Sequence, residues 1–69
     1  MFPNLNAEMG RTKLTIKDLA EISHINYESL KLKLRGVTEF KLGEMLAIKK
    51  SAFPDKSLDY LFQTDEEVV

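Results

Sequence analysis

Apolar residues along this chain recur at helical intervals, and the polar residues between them mark where each helix starts and stops. Leu5 and Met9 lie one turn apart behind Pro3. A first helical turn tolerates proline because the N–H it lacks would have no partner there. Gly10 falls within or at the end of this helix, and residues 12–14 form the exit. Thr15 suits an N-cap, and Asp18 is spaced to reach back to the cap's own N–H. The second helix then runs to about Ser23, with Leu19 and the small Ala20 inward. Asn26 caps a third helix that buries Leu30 and Leu34 and stops at Gly36.

A linker through Phe40 leads to a fourth helix with Leu42, Met45 and Ile48 or Leu46 inward, and Pro54 forbids its continuation. Ser57 caps a last short turn in which Leu58, Leu61 and Phe62 can close the core. Met9, Met45 and Phe53 fit helical core spacing. The expected fold is an all-α, five-helix domain over residues 1–62, followed by an acidic tail, 63–69, that lacks periodicity and reads as disordered.

Sixty-nine residues allow one domain. A chain this short buries only about 60% of its unfolded surface, which implies a stability of about 3–5 kcal/mol. It has no cysteine, so neither a disulfide nor a thiolate metal site supports the core. Its single histidine, His24, has no second histidine for a metal site and reads as a turn residue. No apolar run approaches the ~18 residues of a membrane span, and Met1-Phe2-Pro3-Asn4 does not begin a signal peptide. A cytoplasmic protein of a bacterial cell is expected. Without paired carboxylates, a thiol or a glycine-rich phosphate loop, the reading is of a non-enzyme with no metal, cofactor or small-molecule substrate.

Net charge is −1 at pH 7, which by itself argues against a polyanionic partner. The distribution changes that picture. Between Arg11 and Lys50 nine basic residues stand against five acidic ones, and Asp65-Glu66-Glu67 does most of the reversal. Two short helices joined by a tight turn, the second opening on polar residues, form the layout of a helix-turn-helix, whose second helix enters the DNA major groove.

The pattern Thr15-x-x-x-Leu19-Ala20, Ile25-Asn26, Leu30, Gly36, the fourth-helix apolar residues and Ser57-Leu58-Asp59-Tyr60-Leu61-Phe62 resembles the lambda-repressor-like (XRE, Cro/repressor) DNA-binding domains over roughly residues 3–62. The strings SLDYLF and KLRGVTEFKLGEM are similar to small repressors of phages of Gram-positive bacteria. The resemblance implies a compact lambda-repressor-like fold and a sequence-specific, double-stranded-DNA-binding transcriptional regulator. It would act as a Cro-like phage or prophage repressor, a weak homodimer occluding a promoter at a palindromic or pseudo-palindromic operator. It further implies base contacts from Tyr27, Glu28, Ser29, Lys31 and Leu32. Phosphate contacts would come from Thr15, Ile16, Lys17, Asn26, Lys33, Arg35, Thr38 and Lys41. Leu32 lies about 200° round the helix from Leu30, where it can meet a thymine methyl. The exposed apolar surface for pairing is expected at Tyr60, Phe62 and Phe53.

Three features, at four positions, depart from the family pattern. Ile16 stands where many members have Gln, His24 where the turn usually has Gly, and Met9 and Leu34 where many pair Arg with Glu. Two other functions fit the same fold: a protein-interaction module such as an antirepressor, and the antitoxin of a toxin–antitoxin pair.

Overall fold

A computed structural model describes residues 2–64. All regular structure among them is helical: α1 (Pro3–Thr12), α2 (Ile16–Ser23), α3 (Tyr27–Leu34), α4 (Leu42–Ala52) and α5 (Leu58–Leu61). These bounds follow the punctuation of the sequence. Thr15 accepts a hydrogen bond from the Asp18 N–H while the Asp18 carboxylate accepts from the Thr15 N–H, both at 3.1 Å. Each thereby satisfies a donor that helix geometry leaves over. Asn26 and Ser57 cap α3 and α5 one way only, their side-chain oxygens accepting from the Ser29 and Tyr60 N–H groups.

The first three helices end on one kind of turn. At each, a residue with positive φ lets two successive N–H groups fold back onto the final carbonyls: Lys13 (φ 59°), His24 (φ 59°) and Gly36 (φ 82°). Glycine bears this conformation without strain, whereas Lys13 and His24 each carry a cost of about 1 kcal/mol. The residue after each turn is apolar. Leu14 and Ile25 fold back against the core; Val37 does not and stays exposed.

Leu5, Met9, Leu19, Ala20, Leu30, Leu34, Ile48, Phe53 and Leu61 form the core. Close backbone packing joins α2 to α3 and α4, α4 to α5, and α5 to α1. The helices thus lie in the spatial order α3, α2, α4, α5, α1. Phe2, Phe40 and Phe62 meet edge to face, with ring centroids 5.0–6.0 Å apart. This triangle joins the start of α1, the linker and the end of α5.

Phe53 joins the core as its spacing implies, and the expected exposure of four apolar residues needs correction. Leu42 is 61% exposed; it lies about 120° round α4 from Ile48, on the open first turn. Phe53 is 3% exposed and belongs to the core, so it offers no surface for pairing. Tyr60 and Phe62 are half-buried, the first bonded to α1 and the second within the aromatic triangle. The tail was expected to be disordered from residue 63, and residues 65–69 of it lie outside the described residues.

Candidate nucleic-acid interface

The face of α3 turned away from Leu30 and Leu34 is the candidate surface. Capping by Asn26 fixes where the helix begins, and the apolar anchors Leu30 and Leu34 fix its rotation. Tyr27, Glu28 and Leu32 are exposed, and Lys31 and Ser29 are half-buried. Three of these side chains form one assembly. The Lys31 ammonium lies 3.4 Å from Glu28 and 5.3 Å from the centre of the Tyr27 ring. An exposed ion pair of this spacing contributes a few tenths of a kcal/mol, so its effect is on side-chain direction more than on stability.

Around this face the expected phosphate residues divide. Thr15, Lys17, Asn26, Arg35, Thr38 and Lys41 are all exposed. Asn26 uses Oδ1 on the Ser29 N–H. Thr15 keeps its hydroxyl donor after accepting from Asp18. Ile16 is half-buried and packs against the core, so only its backbone remains for an outside partner. Lys33 has a side chain only 12% exposed and stands 3.7 Å from Glu44. That carboxylate also accepts from the Lys41 N–H at 2.9 Å, at the start of α4. Glu44 therefore anchors α3 to α4 through a charge and a cap together.

His24 occupies the turn, as expected of it, in the left-handed conformation. Met9 and Leu34 are both buried in the common core. The charge missed in the sequence is Glu8. It is 3% exposed, accepts from the Tyr60 hydroxyl at 2.8 Å and lies 3.5 Å from Arg11. The available signal was spacing: Glu8 falls on the same face of α1 as Leu5 and Met9. Tyr60 titrates above its ordinary range, first because its hydroxyl is bonded to Glu8, then through burial and the Glu8 charge.

Among the described residues, no group of three or more Asp, Glu or His side chains is gathered to hold a metal ion. No helix among them is long and apolar enough to cross a membrane. No family model, curated protein or solved structure matches this chain.

Proposed function

We propose that this protein is a sequence-specific regulator that binds double-stranded DNA through α3, on a lambda-repressor-like helix-turn-helix fold. The observation that carries the reading is the solvent face of α3. It presents Tyr27, Glu28, Lys31 and Leu32 outward, with exposed Lys17, Arg35 and Lys41 around it. A helix so placed can enter a major groove while cations at its border meet the phosphates. Tyr27, Glu28, Lys31 and Leu32, supported by Ser29, read base edges. Thr15, Lys17, Asn26, Arg35, Thr38 and Lys41 position the protein, as does the N-terminal backbone at Ile16. Lys33 acts first through Glu44.

One eight-residue helix covers few base pairs, so two copies would bind half-sites about 34 Å apart. Such a weak homodimer, a Cro-like phage or prophage repressor of a bacterial cell, works by occluding a promoter. No metal, cofactor or membrane enters the mechanism.

The test is a gel shift against the duplex flanking the protein's own gene, repeated across salt concentrations. If a dimer neutralises roughly 6–8 phosphates, the logarithm of affinity falls with that of salt at a slope of about −5 to −7. No shift at low salt, or a flat salt response, overturns the reading. It would favour a helix-turn-helix module that binds protein, for which exposed Ile22, Val37 and Leu42 supply apolar surface.

A further inference from the structure

The three turns that close α1, α2 and α3 share one hydrogen-bond pattern and differ in where the following apolar residue goes. Leu14 donates to the Met9 carbonyl at 2.9 Å, Ile25 to Ala20 at 3.0 Å, and Val37 to Leu32 at 3.0 Å. Leu14 and Ile25 are packed against the core. Val37 is 63% exposed, and the residue it bonds, Leu32, is 38% exposed. The turn at Gly36 therefore brings the backbones of two exposed apolar residues within hydrogen-bond distance, at the end of α3.

Burying a branched aliphatic side chain is favourable, so leaving this pair in water forgoes stability that the other two turns collect. Cationic residues outnumber acidic ones in the stretch that holds the pair. Lys31 precedes Leu32 on α3, Arg35 lies between Leu32 and Val37, and exposed Lys41 follows, against Glu28, which is paired with Lys31, and exposed Glu39. An apolar tip in a stretch richer in cations is complementary to one feature of duplex DNA: a methyl group on the major-groove edge of a base, between two phosphate strands.

We propose that Leu32 and Val37 form a specificity patch that reads thymine methyl groups in the major groove. The proposal rests on the DNA-binding reading above. It makes Val37, beyond the helix itself, a specificity-determining residue.

The experiment uses the tightest duplex from the gel-shift series, synthesised once with dT and once with dU, which differ only in the 5-methyl group. The intact chain should bind the dU duplex more weakly, by about fourfold for each methyl it reads. Both patch residues are exposed, so Leu32→Ala and Val37→Ser should fold like the parent, which circular dichroism checks. Each should bind the dT duplex more weakly and lose part or all of the dT/dU ratio. Equal affinity of the intact chain for the two duplexes overturns the patch and leaves DNA binding standing. A ratio kept in Val37→Ser also overturns it, because the methyl is then read without Val37. Absence of binding to either duplex at low salt removes the DNA reading and the patch with it.

Discussion

The Tyr60 hydroxyl donates to Oε2 of Glu8 at 2.8 Å, joining residues that stand 52 positions apart in the chain. Asn4 reinforces the junction by donating to the Tyr60 carbonyl at 2.8 Å. The bond gives a nearly buried carboxylate on α1 a partner on the shortest helix of the fold. A carboxylate so placed is costly unless hydrogen-bonded, and here Tyr60 and Arg11 supply its partners.

The alkaline limb of stability should carry this bond. The raised Tyr60 value means that its contribution is full below the ordinary tyrosine range, about 10, and is lost as pH rises through the raised value. Ultraviolet titration should show one tyrosine ionising late, and Glu8→Ala should bring that step back toward the ordinary value. Tyr60→Phe should lower the melting temperature, with less further loss when Glu8→Ala is added than Glu8→Ala causes alone. Purely additive losses would mean that the bond is not formed in solution.

Backbone strain at the turns gives a second expectation. Lys13→Gly and His24→Gly each relieve a left-handed residue, to be set against glycine's greater unfolded-state freedom. We expect each to range from neutral to about 1 kcal/mol stabilising in urea unfolding. Gly36→Ala should destabilise by about 1 kcal/mol or more, since φ there is 82°. Gly10 lies inside α1 with open space where a Cβ would go, so Gly10→Ala should add roughly 0.5–1 kcal/mol. A stabilising Gly36→Ala would contradict the assigned turn.

Met9 is buried beside Leu5, so Met9→Arg alone should cost about 3 kcal/mol or more by burying an unpaired charge. Adding Leu34→Glu should recover much of that loss if the two positions face each other across the core. A Met9→Arg chain that melts like the parent would put residue 9 on the surface.

On DNA, alanine at Tyr27, Lys31 or Leu32 should cost about 1–3 kcal/mol on the preferred duplex and change non-specific binding little. Alanine at Arg35 or Lys41 should weaken all sequences alike and flatten the salt slope by about one unit. Lys33→Ala should lower stability while leaving that slope nearly unchanged, because Glu44 already holds the ammonium. If Lys33 and Arg35 prove indistinguishable in salt dependence, the division drawn between them fails.

Helix limits were legible in the sequence because local chemistry sets them. Thr15 with Asp18, Asn26, Gly36 and Ser57 each satisfy backbone groups within a few residues, and such signals survive without tertiary context. Burial of Leu5, Met9, Leu19, Leu30 and Leu34 followed from helical spacing. What was not legible depends on distant partners. Glu8 looks like a surface residue until Tyr60 is beside it, and Lys33 looks free until α4 brings Glu44. Leu42 misled for the opposite reason: hydrophobicity alone does not reveal that the first turn of α4 faces outward. Phe2 gave no periodic signal, since its role comes from meeting Phe40 and Phe62.

The serial packing of the helices has a consequence for how the molecule opens. Since α1 packs on α5 and α3 on α2, with α4 joining the two pairs, the ends of this series meet through side chains of the shared core and not through close backbone packing. Native-state hydrogen exchange should therefore resolve two groups of amides. Those of α1 and α5 should be released together when the Tyr60–Glu8 bond is removed, while those of α2 and α3 keep their protection. The outer face of α3 would then stay ordered through a partial opening at the far end of the fold.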